Sequence, residues 1–296
     1  MRTFLLLVAY AGVLATVGAA LLRRAEWVQR APRLGILAWQ SLGWSTVGSV
    51  LLGGLALTVP TMPVASNIAE FVHGCVMIIQ TQYATPGGAA ATTTGLVLTS
   101  VVGGRVAYCL ARSWRHALRQ RRRQLDVLAM VGRRTDHLDA TVVDHDVAEV
   151  YCLPGRQGRI VLTSAALDAL DADQLAAVLA HERAHLRARH DLLIAAAAGL
   201  TAAFPRLRVF AAAEAETRWL AELAADDAAV RHGDRLALAE GILTVAGSRA
   251  PAAALAAGGT DPVMRVRRLL APCHRLGAVR AGLVSAAVAA LAAVPL

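Results

Sequence analysis

The stretch Asp171-Ala-Asp-Gln-Leu-Ala-Ala-Val-Leu-Ala-His181-Glu182-Arg183-Ala184-His185-Leu186 is the part of the chain from which the rest can be read. Leu175, Val178, Leu179 and Leu186 recur at helical spacing. The helix has a marked start, with Asp171 at the N-cap and Gln174 reaching back to it from the third position. His181 and His185 stand four residues apart, just over one turn, so both imidazoles leave the same face and can hold one metal ion. Glu182 is rotated by one residue toward the position such a metal leaves open, which suits a general base acting on water. The plainer reading is a pair of ordinary exposed helix histidines. A downstream carboxylate on a second helix weighs against it.

A catalytic zinc site takes three protein ligands, and Glu214, Glu216, Glu222, Asp226, Asp227 and His232 all follow the motif. Residues 214–231 are helical in pattern, and Glu222 and Asp226, at i and i+4, share one face. Glu222 is the expected third ligand, with Asp226 orienting His181 or His185 from behind. Glu214 and Glu216 read as the solvated start of that helix, where acidic groups favour the dipole.

Further outward the chain changes character. Of its 296 residues 56% are hydrophobic and 17% charged, whereas soluble chains carry about 25% charged residues. The mean hydropathy of +0.49 therefore requires lipid or a very large core. Nineteen of the 21 acidic residues lie between Asp126 and Asp261, so the water-facing part is the middle of the chain. Thr3 to Leu22 is uncharged, and as a helix it is about 30 Å long, the thickness of a hydrocarbon core. Arg23, Arg24, Arg30 and Arg33 follow it, whereas a signal peptide carries its basic residues in front. Leu34 to Val59 reads as a second span, closed by Pro60 and Pro63. Ala89 to Leu110, after the turn signal Thr85-Pro86-Gly87-Gly88, reads as a third, with Arg105 near its end able to snorkel. Residues 276–296 read as a short fourth.

The loop between spans two and three carries Glu70 and no arginine, while the segments after spans one and three are arginine-rich. The positive-inside bias then places residues 23–33 and 111–275 in the cytoplasm and residues 60–88 outside. The expected fold is mainly α: a cell-membrane protein of about four transmembrane helices with a cytoplasmic α+β zincin-like peptidase domain. The expected divisions are 1–111, 112–275 and 276–296. The net charge of +9 raises nucleic acid as a partner, but the densest run, Arg112 to Arg123, directly follows an apolar segment and reads as a membrane flank. The bilayer is the expected partner, and direct nucleic-acid binding is not expected. Cys75, Cys109, Cys152 and Cys273 stand singly and read as buried thiols rather than a disulfide framework or zinc knuckle.

His181-Glu-Arg-Ala-His185-Leu-Arg-Ala-Arg-His190-Asp, with Glu222-Leu-Ala-Ala-Asp226-Asp-Ala-Ala, resembles the BlaR/MecR family of integral-membrane zinc metallopeptidases, and more distantly the HtpX and CAAX-prenyl-protease type. The resemblance implies Zn2+ held by His181, His185 and Glu222, with Glu182 as catalytic base. It also implies a β-hairpin over Ala148 to Thr163, whose edge could receive a substrate strand. The implied substrate is a protein, a small winged-helix transcriptional repressor in the regulatory members. Antibiotic-sensing members continue into an extracellular penicillin-binding domain; this sequence reaches Leu296 with no such segment, so sensing by that route is not expected. The apolar run Leu192 to Phe204 is too short to span and resembles the buried or re-entrant helix placed behind the motif.

Arg265, Arg267 and Arg268 resemble the family's post-site arginine segment, which implies oxyanion stabilisation. The expected role here is the plainer one, a solvated basic flank of the last span. His190 reads equally as a neighbour of the site or as a capping or exposed histidine. Two other functions fit the motifs: a non-enzymatic membrane transducer with a structural zinc site, and a membrane quality-control protease.

Overall fold

The structure is a computed structural model and describes residues 1–59, 67–135, 137–155, 158–231, 233–249, 260–271 and 276–293. Pro60, Pro63, His232, Cys273 and the last three positions of the expected fourth span lie outside the described residues. Among the described residues the chain is mainly helical with one small sheet, and three helices are long and apolar enough to cross a membrane.

The first of these, α1, runs Arg2–Arg24 with a wide π turn at Leu14–Gly18. A single turn, Trp27–Arg30, leads to α2, Pro32–Thr58, which opens on proline at its first position, where the missing amide costs nothing. Residues 60–88 are not merely a loop: Ile68–Tyr83 forms a helix, α3, of 16 residues. Its run of Val, Cys, Met and Ile holds no breaker before the turn, and Gly87 closes that turn at φ 75°. The third long helix, α4, spans Gly88–Val131, 44 residues. It carries the Arg112 to Arg123 run as a direct continuation of the span, because Ala, Leu, Arg and Gln beyond residue 110 are strong helix formers with nothing to stop them. The expected boundary at 111/112 therefore falls inside a continuous helix. Arg105 donates from Nε to the Ala203 carbonyl rather than only reaching for the interface.

Helix α2 lies at the centre of the membrane part, and α1 and α4 pack on it. At the α2–α4 crossing the backbones nearly touch, because a Cβ on Gly95 would collide with the Gly54 carbonyl and the Thr58 hydroxyl. Small residues at such a crossing are what van der Waals packing in lipid requires.

After α4 the chain forms β1 (Gly132–Thr135), β2 (Ala140–Val143), β3 (Val150–Leu153) and β4 (Arg159–Thr163), ordered β1-β2-β4-β3. The hairpin expected over 148–163 is present: β3 pairs antiparallel with β4, from Val150 opposite Leu162 to Leu153 opposite Arg159, and β3 is an edge strand. Then come α5 (Ser164–Ala169), α6 (Ala172–Ala188), α7 (His190–Ala203), α8 (Arg208–Ala229), α9 (Arg235–Arg249), α10 (Thr260–Leu270) and α11 (Ala278–Ala293). At 16 residues α11 is shorter than the three long helices, as are α3 and α7.

Two large cores and a smaller one hold these parts among the described residues. One joins membrane and domain: Trp39 and Leu42 of α2 and Val106 and Cys109 of α4 pack with Leu200 of α7 and Phe210, Leu220 and Leu223 of α8. The other large core sets one face of the sheet (Val142, Ile160, Leu162) against α6, α9 and α10 through Val178, Leu179, Leu238 and Leu269. Period-2 alternation on β3 puts Val150 and Cys152 toward α6 and Leu153 on the opposite side, against Leu128 at the end of α4.

Candidate metal centre

Helix α6 begins as its sequence requires. The Asp171 carboxylate accepts from the Gln174 amide at 2.8 Å, and the Gln174 side chain accepts from the Asp171 amide at 3.4 Å, a complete capping box. The helix ends at Arg189, a non-glycine residue in the left-handed region (φ 52°), and this sharp turn starts α7 at His190.

His181 and His185 face α8, where Glu222 meets them. The two Nε2 atoms are 3.1 Å apart, and the Glu222 carboxylate oxygens lie 3.5 Å from each. Ligands about 2.0–2.1 Å from one tetrahedral ion stand about 3.3–3.4 Å apart, so these three donors fit a single zinc-sized cation. Among the described residues this is the one group of three or more His, Cys, Asp or Glu able to hold a metal ion. Both rings are also turned correctly. Asp226 takes the Nδ1 side of His181 at 2.9 Å, and His190 takes the Nδ1 side of His185 at 3.0 Å, which leaves both Nε2 atoms on the shared centre.

Of the two histidines offered for Asp226, then, it contacts His181. His190 is buried, 3% exposed, and stacks edge-on with His185, which sets aside the capping and exposed readings. Arg265 departs from the solvated flank expected of it. Its side chain is largely buried, with Nη1 3.0 Å from Glu222 and a two-pronged hold on Asp226. Arg268 instead pairs with Asp227, at 2.8 and 3.0 Å, away from the centre, and Arg267 is exposed. Glu214 and Glu216 are not at a helix start, because α8 begins at Arg208; Glu214 pairs with Arg218 on the next turn. His232 lies outside the described residues.

Proton affinities follow from this crowding. Burial opposes a charged His181, yet its hydrogen bonds to Asp226 and Glu222 outweigh that and push its pKa up to about 9. Burial and the neighbouring His181 charge push His185 down to about 4. Burial works against the charged forms of Glu222 and Asp226 as well, but hydrogen bonds from His181 and the charge of Arg265 hold both down at about 2. Glu182 is displaced the other way: burial raises its pKa, against the opposing pull of the His181 charge and of the Cys152 thiol nearby on β3. Cys152 is itself pushed up by burial and by the Glu182 charge, so it remains a thiol. Cys152, expected to be a buried thiol, is half-buried and lies near the candidate base.

Two histidines and a glutamate that could hold one metal ion, with a further glutamate beside them on α6, are the arrangement found in metallopeptidase-type centres. Residues 116–224 match the family model described as Peptidase family M48. The matched segment runs from the C-terminal part of α4 through the sheet and α6 to Glu222 and Ala224 on α8, about a third of the chain. It is this family, not the BlaR/MecR grouping, that the match names. No curated protein and no solved structure matches the chain.

Proposed function

We propose that the chain is a membrane-embedded, zinc-dependent endopeptidase that cuts a cytoplasmic or membrane-proximal protein. The observation that carries this is the convergence of His181, His185 and Glu222 beside Glu182, with both histidines held from behind. Zinc bound there would polarise the scissile carbonyl and acidify a water molecule. The rest falls to the chain's own residues. Glu182 accepts the proton of the attacking water, and its raised affinity for protons suits it to hold that proton and return it to the leaving amine. The outer edge of β3, whose Cys152 lies near Glu182, would align an extended substrate by strand addition.

In this reading the amino terminus is outside, the peptidase domain faces the cytoplasm, α11 is the fourth span and the role is regulatory: cleavage of a winged-helix repressor in response to a signal carried by the spans. What supports the regulatory role is the resemblance of the motif; what supports the orientation is the arginine asymmetry. The test is a proteome-wide comparison of cleavage products in cells carrying wild type or Glu182→Gln. One or two regulators cut at defined sites bear the proposal out. Many partly unfolded membrane proteins point instead to quality control, and no difference at all points to a transducer.

A further inference from the structure

A second concentration of positive charge lies away from the metal centre, where the ends of two of the long apolar helices meet α8 and α10. A cavity of about 750 Å³ opens between the last turn of α1, the 25–31 turn, the start of α2, the end of α8 and α10. Seven arginines line it against two carboxylates, Glu26 and Asp227. Those two are already engaged: Glu26 with Arg30 at 2.7 Å, and Asp227 with Arg268, which also donates to the Gln29 carbonyl at 3.1 Å. Arg235 donates to the Leu269 carbonyl. Arg23, Arg24, Arg33 and Arg231 are exposed, and among the described residues none of them forms an ion pair.

A second source of positive potential points the same way. Helix α2 is 27 residues long, has Ala31 at its N-cap with no side-chain cap, and starts with proline. The amides of Arg33 and Leu34 therefore have no acceptor within the helix, and the positive end of its dipole faces the cavity. The wall is not wholly polar: Leu34, Val230, Leu269 and Leu276 contribute apolar surface. The cavity sits where the apolar windows of α1 and α2 give way to charge, the depth of lipid phosphates.

We infer that this cavity binds the phosphate of an anionic phospholipid headgroup, with Arg23, Arg24, Arg33 and Arg231 and the α2 amino terminus contacting the phosphate and the apolar wall taking the first acyl carbons. The inference rests on the spans and not on the peptidase chemistry.

The test uses the full-length protein in neutral detergent, titrated with dioleoyl phosphatidylglycerol, dioleoyl phosphatidylcholine or inorganic phosphate and read by native mass spectrometry. Phosphatidylglycerol should be retained in preference to phosphatidylcholine. The triple change Arg23→Gln, Arg24→Gln, Arg231→Gln should weaken that retention on the order of a hundredfold, since each surface arginine contributes about fivefold. The single change Arg231→Gln, which asks little of the fold, should weaken it about fivefold. The equally basic control Arg119→Gln, Arg122→Gln, Arg123→Gln on α4 should leave it unchanged. Equal retention of the two lipids, or unaltered retention in both Arg231 variants, overturns the inference. Inorganic phosphate binding at this cavity as tightly as the lipid would also overturn it, and would identify a soluble phosphate ligand instead.

Discussion

Arg265 grips Asp226 through two parallel hydrogen bonds, Nε to Oδ2 at 2.9 Å and Nη2 to Oδ1 at 2.6 Å, while the same Oδ1 takes the Nδ1 side of His181 at 2.9 Å. Asp226 is fully buried, so its charge depends on these partners, and His181 depends on it for orientation. Removing the guanidinium in Arg265→Gln should leave the buried Asp226 carboxylate with His181 as its remaining partner and cost about 3 kcal/mol in thermal unfolding. Zinc affinity should fall about 10–100-fold in a chelator competition. Arg265→Lys, which keeps charge but loses the fork, should lie between the two. Wild-type zinc affinity in Arg265→Gln would show that Asp226 does not need the grip.

Glu182→Gln and Glu222→Ala separate base from ligand. The first should retain about one zinc per chain by atomic absorption and lose proteolysis by at least about a hundredfold. The second should lose the metal, because two histidines alone do not complete a catalytic zinc site. Metal lost from Glu182→Gln, or held at wild-type affinity by Glu222→Ala, contradicts the assignment.

Topology is open to direct measurement. With the positive-inside bias governing insertion, an alkaline-phosphatase reporter fused after Gln80 should be active and one fused after Glu149 inactive. The reverse pattern would place the metal centre outside the cell.

The α2–α4 crossing can be tested with one methyl-bearing side chain at a time. Gly95→Val should drive a branched side chain into the Gly54 carbonyl and Thr58 hydroxyl, so the backbones must part and thermal stability in detergent should fall by several degrees or more. Gly104→Val, on the same helix with open space at its Cβ, should change it little. Equal effects from the two would mean that the close approach contributes nothing.

Much of the site is visible in the chain because its geometry is local. The capping box of Asp171 and Gln174, the four-residue spacing of His181 and His185, and the matching spacing of Glu222 and Asp226 each follow from one helix and its period. What stays hidden depends on tertiary placement. Arg265 is 39 residues from Asp226, and nothing in residues 260–270 distinguishes a buried arginine from its exposed neighbours. His190 reaches His185 only because Arg189 adopts a positive φ, a conformation its identity does not signal. Cys152 comes near Glu182 through the placement of β3 beside α6, which no spacing encodes. The reach of α4 beyond residue 110 shows a different limit: hydropathy marks where lipid stops, whereas the helix ends only where β1 begins.

The core built from Trp39, Leu42, Phe210, Leu220 and Leu223 has a consequence for how the protein can be handled. Cut away near residue 112, the catalytic half would expose to water a face on which Phe210, Leu220 and Leu223 are at most 1% accessible in the intact chain. Such a fragment would aggregate unless that face were rebuilt with polar residues. Spans and peptidase therefore form one cooperative unit, to be extracted, purified and melted together, and any agent that loosens the helices in the bilayer also loosens the scaffold that carries Glu222.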